Sequence, residues 1–242
     1  MSFAHLSVEY TFADLAVGIR DVAAHLQTVR NALRLPEADG RHVALYGMQE
    51  ALLGVGLTVH SIAGIGLTTH IRTAAEVKAS FQNYAYVSGK DDAALLTIAE
   101  TVWRLSLLSL CHFKVDALFQ NLLRALGSSP GRSGFGANSR SLLSIVTLPD
   151  APRVSSVLAG FTHVRNSLHN NGIHRGPAWG PWHTGGLAFS FAPDQPVQCA
   201  SFGHILAVLD ATAGSLAELL AAPQIASLAR VDDLYADSLT SA

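Results

Sequence analysis

Residues Thr11 to Arg34 read TFADLAVGIRDVAAHLQTVRNALR, and their spacing decides the fold class. Phe12, Leu15, Ile19, Val22, Leu26, Val29 and Leu33 recur at steps of three and four, which gathers them into one apolar stripe of a helix. Arg20, Asp21, Gln27 and Arg30 fall on other faces, and Pro36 followed by Asp39-Gly40 ends the segment with turn chemistry.

The same periodicity returns through most of the chain. It predicts a second helix from about Arg41 to Arg72 and a less regular one over 74–86, broken by Ser88-Gly89-Lys90-Asp91. A long helix is expected over 92–126, another from about Arg153 to Asn170, and one carrying Ile205, Leu209, Leu216 and Leu220. A short last helix is expected over 223–235. Between Val102 and Phe113 the long segment is apolar on nearly every side, the pattern of a helix surrounded by others. One region changes style. Leu187-Ala188-Phe189-Ser190-Phe191 alternates like a strand, and Val197 to Phe202 is its expected partner across Asp194-Gln195-Pro196. The expected architecture is therefore all-α: a multi-helix bundle forming a single domain over 1–242. Helices of an N-terminal extension occupy 1–90, the core spans 91–221 with a small β-hairpin at about 183–202, and 222–242 form a tail.

Composition narrows the class. Apolar residues make up 49% of the 242 and charged residues only 14%, which excludes a disordered chain. Two cysteines, Cys111 and Cys199, are too few for a disulfide scaffold and lack metal spacing. Glu9 and Asp14 interrupt any apolar run near the start, so no secretory signal is read and a cytoplasmic location is expected. Ala51 to Thr69 carries no charge and approaches the ~20 residues of a bilayer span. It also carries His60, hydroxyls and four glycines without an aromatic or lysine belt, which favours a buried helix.

The net charge of −2 hides an uneven distribution. Six arginines and one acid, Asp150, lie between residues 124 and 180, whereas six acids oppose Arg230 alone from residue 190 onward. The basic stretch contains Arg165-Asn166-Ser167-Leu168-His169-Asn170-Asn171-Gly172-Ile173-His174. Arg165 and His169 are four apart and share a helix face, as do Asn166 and Asn170. Gly172 suits a left-handed helix cap. A cation, an imidazole and two carboxamides thus collect in the last turns of a helix. His163, His169, His174 and His183 do not have the separations of a closed zinc site. No Gly-x-Ser-x-Gly elbow is present, and Cys111 lies in the most apolar helix, where a thiolate is disfavoured. No cofactor is indicated.

The arrangement resembles the HEPN superfamily, helical-bundle proteins common in toxin–antitoxin, abortive-infection and CRISPR-associated systems. That family carries an arginine, a polar follower and a histidine a turn or two later near a helix end. Arg165, Asn166 and His169 stand at those positions. The family usually has four to six residues between arginine and histidine, whereas here three separate Arg165 from His169 and eight separate it from His174. The long preceding helix with Phe113-Lys114-Val115-Asp116 adds to the likeness, which covers 92–221 at most. The resemblance implies a HEPN-like four-helix core and a homodimeric, metal-independent endoribonuclease of toxin or phage-defence type. RNA and an antitoxin or regulatory protein are the implied partners.

The chemistry is consistent with that implication. Metal-free RNA cleavage needs a proton acceptor for the 2′-hydroxyl, a donor for the leaving oxygen and positive charge on the transition state. An imidazole serves the first two roles and a planar guanidinium the third. Arg165, His169 and Asn166 are the expected catalytic residues, with Asn170, His174 and Arg175 contacting substrate. The product would be a 2′,3′-cyclic phosphate. In the competing reading Arg165 and Asn170 brace the helix end, His169 packs beneath the hairpin, and the chain is a non-catalytic interaction or regulatory protein.

Overall fold

In this computed structural model the described residues are 1–8, 10–68, 92–130 and 134–233, the side chains of 61–68 and 92–96 excepted. A short 3₁₀ turn, Ala4–Ser7, leads into α1 (Phe12–Leu33) and α2 (Gly40–Thr68). Then follow α3 (Asp92–Ala125), α4 (Phe135–Ile145), α5 (Ala151–His169), β1 (Trp179–Thr184), β2 (Leu187–Phe191), α6 (Phe202–Ala221) and α7 (Pro223–Ala226). The fold is a helical bundle with one two-stranded antiparallel sheet. The helix expected over 74–86 and the far end of the one expected to Arg72 lie outside the described residues.

Local chemistry fixes the helix starts. Thr11 and Asp14 form a reciprocal capping box on α1: Thr11 Oγ1 accepts from the Asp14 backbone N–H at 3.1 Å, and Asp14 Oδ2 accepts from the Thr11 backbone N–H at 2.9 Å. Asp150 caps α5 by accepting from the Arg153 N–H, and Pro152 sits in the first turn, where a missing N–H costs nothing. Ser201 caps α6, accepting from the N–H of His204.

Helix α6 is the hub. Its residues Ile205, Leu206, Val208, Leu209, Ala213 and Leu216 are fully buried, and it touches α1, α3, α5 and the hairpin. By length and apolar character it is the one described helix that could cross a membrane, but those properties here serve a core helix buried among its neighbours. Of the uncharged stretch 51–69, Leu52, Val55 and Val59 face the core, whereas Leu53 and Leu57 are exposed.

From Leu15 to Val29 the stripe of α1 is buried as its spacing predicts, with Phe12 and Leu33 partly buried at its ends. Four details differ from expectation. Helix α4 was not marked by the sequence pattern; Phe135 and Leu142 anchor its eleven residues against the core. Helix α3 is not surrounded, because Val102, Leu110 and Phe113 are exposed. The last helix is only Pro223–Ala226. Beyond it the chain turns back to α2: the buried Asp39 and Arg41 pair at 2.7 Å, Arg41 donates to the carbonyls of Ile225 and Leu228, and the Val231 N–H donates to Asp39.

The hairpin is the fourth correction. Leu187–Phe191 is a strand, but its partner is Trp179–Thr184 on its N-terminal side, with Trp182 opposite Phe189 and His183 opposite Ala188. Gly185 and Gly186, both at positive φ (57° and 78°), close the loop, as a tight hairpin turn demands. Val197–Phe202 forms no strand. The neighbouring segment 194–197 instead pairs with the residues after α5: the His174 N–H donates to Gln195 O, and the Val197 N–H to Gly172 O.

Candidate functional site

Helix α5 ends at His169, and the way it ends builds one wall of a groove. The Gly172 N–H donates to Ser167 O at 2.8 Å, five residues back, with Asn171 at φ 55° and Gly172 at 78°. This is a Schellman-type closure, and the left-handed cap residue is Asn171, with Gly172 one place beyond it. The turn sends Ile173 to Pro177 back along the last turns of α5. Between helix and returning chain lies a groove of about 510 Å³, lined by Arg165, Asn166, His169, Asn170, His174 and Arg175 together with Thr162, His163, Gly176 and Pro177. All six residues singled out by sequence meet here, and no acidic side chain lines it.

Their environments differ. His169 and Asn170 are exposed, Asn166 is exposed, and Arg165 is half-buried. Arg165 Nη1 donates to Asn166 Oδ1 at 3.0 Å, while its Nε is buried and has no hydrogen-bond partner among the described residues. Arg175 pairs with Asp194 at 2.8 Å across the groove edge. His174 is buried: Nε2 donates to Pro177 O at 2.9 Å and Nδ1 faces the Ser167 hydroxyl at 3.4 Å. With both nitrogens engaged by its own chain, His174 acts as a wall, holding the returning segment in place. It is this ring, not His169, that lies under the hairpin, 5.2 Å from Phe191.

His163, placed by its spacing on another side of α5, packs against His174, Trp179 and Phe191 at 5.1 to 5.3 Å. Burial, and then the neighbouring His174, hold its pKa below the usual histidine value. Trp179 and Trp182 seat the hairpin on α5 at Gly160, where a Cβ would come within 2.7 Å of the Trp182 ring. Helix, hairpin and returning chain thus fix one another.

One residue of this neighbourhood escaped the sequence reading. His112 on α3 is only 7% exposed, and its Nδ1 is buried without a partner. Its ring rests on Phe135 of α4 and Phe161 of α5, at 4.6 and 5.4 Å. Phe161 is one turn before Arg165. Burial, followed by the charge of Arg165, pushes the His112 pKa down to about 4; Asp116 opposes the shift and His169 adds to it. The signal was present in the sequence as the single imidazole in the apolar run ending at Phe113. A histidine in such a run reads as core until tertiary packing places it behind Arg165.

Burial raises the Cys111 thiol to about 12, as expected of its apolar helix. Among the described residues no three His, Cys, Asp or Glu side chains converge as metal ligands. A second hollow of about 630 Å³, lined by Val8, Tyr10, Thr11, Phe12, Asp14 and Glu100, carries acids and no base, so it repels phosphate. No protein-family model, curated protein or solved structure gives a significant match to this chain.

Proposed function

We propose that the groove at the end of α5 is a phosphodiester-cleaving site and that the protein is a metal-independent endoribonuclease of the HEPN kind, acting in a toxin or phage-defence role. The observation that carries the reading is the convergence of Arg165, Asn166 and the exposed His169 on one acid-free groove. In this reading the Arg165 guanidinium binds the scissile phosphate and spreads its developing charge. His169 moves the proton of the attacking 2′-hydroxyl or of the leaving oxygen. Asn166, already bonded to Nη1, sets the plane of the guanidinium. Asn170 and Arg175 contact flanking phosphates, with Arg175 released from Asp194. One groove offers one exposed imidazole, so a homodimer with two facing grooves would supply the second proton carrier.

The test is incubation of purified protein with labelled RNA in EDTA. The expected result is cleavage leaving 2′,3′-cyclic phosphate ends, abolished by Arg165→Ala and by His169→Ala. Cleavage that survives both substitutions refutes the site. A second reading, a non-catalytic interaction or regulatory protein, draws on the outward stripe of α3, where Ile98, Val102, Leu110 and Phe113 are exposed. Absence of cleavage by the wild-type chain would favour it.

A further inference from the structure

Two polar atoms lie buried and unpartnered behind the groove: Nε of Arg165, which lines it, and Nδ1 of His112, whose ring packs on Phe161 one turn before Arg165. They sit on different helices, α5 and α3, and Phe161 joins them, touching the His112 ring from the turn below Arg165. An unmet buried donor costs about 1–3 kcal/mol, more when charged, so two in one neighbourhood call for a reason. The two are also complementary. Arg165 Nε–H is an obligate donor, and the Nδ1 of an Nε2-protonated imidazole is an acceptor.

We propose that His112 is a positioning residue for Arg165: its bare Nδ1 accepts the Arg165 Nε–H when the groove is occupied, turning both Nη groups toward the ligand as a two-pronged phosphate clamp. That the ligand is an RNA phosphate rests on the ribonuclease reading. The role requires His112 to stay neutral, since an imidazolium would offer Arg165 a second donor and a like charge. Its surroundings ensure this. Phe135 and Phe161 exclude water on two sides, and Arg165 and His169 oppose a further positive charge. Asp116, one turn along α3, favours it, but its carboxylate is held by Asn138 Nδ2 and Gln120 Nε2. A neutral histidine that orients or polarises through a hydrogen bond is a known catalytic device. The value near 4 also sets the role of His112: the buried ring does not trade protons at neutral pH and acts only as a hydrogen-bond partner.

The test uses the full ¹⁵N-labelled chain and three variants, His112→Phe, His112→Asn and Arg165→Lys, the last to assign the Nε–H signal. Phenylalanine matches the ring within the aromatic cluster and deletes the acceptor, whereas asparagine places an oxygen where Nδ1 stood. At pH 7, with single-stranded RNA bound, His112 is expected as the Nε2–H tautomer. The Arg165 Nε–H is expected to exchange with water roughly tenfold more slowly than that of the exposed Arg20. That protection should vanish in His112→Phe and return in His112→Asn, and RNA affinity should fall roughly tenfold and recover in the same order. An Nδ1–H tautomer overturns the proposal. So does Nε–H protection unchanged in His112→Phe, or unchanged RNA affinity once that protection is lost. If the wild-type chain binds no RNA, the ribonuclease reading fails; the same two signals measured with inorganic phosphate at the groove then decide whether His112 holds Arg165.

Discussion

Acidification should weaken this protein through His112 before its carboxylates titrate. The ring is 7% exposed, and folding moves its pKa from 6.5 to about 4. Between those values the unfolded chain binds a proton that the folded chain refuses, so stability falls as the pH drops. Above pH 6.5 no loss is felt; below about 4 it is complete and amounts to about 3 kcal/mol. For a chain of this length that is roughly 6 to 12 °C of melting temperature. His163 and His204 are also lowered by burial and contribute with the same sign. The informative quantity is therefore the difference between wild type and His112→Phe, followed by urea or thermal unfolding from pH 7 to pH 4. The variant should lack the His112 part of the slope, so its stability relative to wild type rises on acidification, by up to about 3 kcal/mol at pH 4. Profiles that run parallel across the whole range would refute the assignment of His112 as a buried, neutral ring.

Other perturbations test the scaffold around the groove. Gly160→Ala drives a Cβ to 2.7 Å from Trp182; it should cost about 1–3 kcal/mol and shift the tryptophan fluorescence as the hairpin lifts from α5. Arg41→Ala strands the buried Asp39 carboxylate and should cost about 3–5 kcal/mol in urea unfolding, because Arg41 also satisfies two carbonyls of the returning tail. At Asn171, held at φ 55°, glycine should be tolerated and valine should lower stability by about 1–2 kcal/mol, read from the melting temperature.

The sequence by itself determined the helical class, because a three-to-four apolar period over Phe12–Leu33, and again over Val154–Val164, is a local property that burial then respects. It also placed Arg165, Asn166, His169 and Asn170 at a helix end, since the spacing and the Asn-Asn-Gly stop lie within a dozen residues. Gly172 takes the left-handed backbone its type suits, and Asn171 before it does so too, a conformation asparagine adopts less readily than glycine and that the five-residue closure onto Ser167 imposes. The pairing of the hairpin was misread. Leu187–Phe191 alternates in a way that fits a partner on either side, and only the two positive-φ glycines and the docking of Trp179 and Trp182 on Gly160 select Trp179–Thr184.

What tertiary structure alone decided is the company each polar group keeps. Read from sequence, His169 belongs to the chemistry and His174 to the substrate contacts, yet His174 is locked between Ser167 and Pro177 while His169 is exposed at the groove. His112 stands 53 positions before Arg165 in a run of apolar residues. No local pattern connects them. The packing of α3 against α5 sets both beside Phe161, and desolvation there, a property of the assembled core and not of any segment, turns an ordinary histidine into a neutral one.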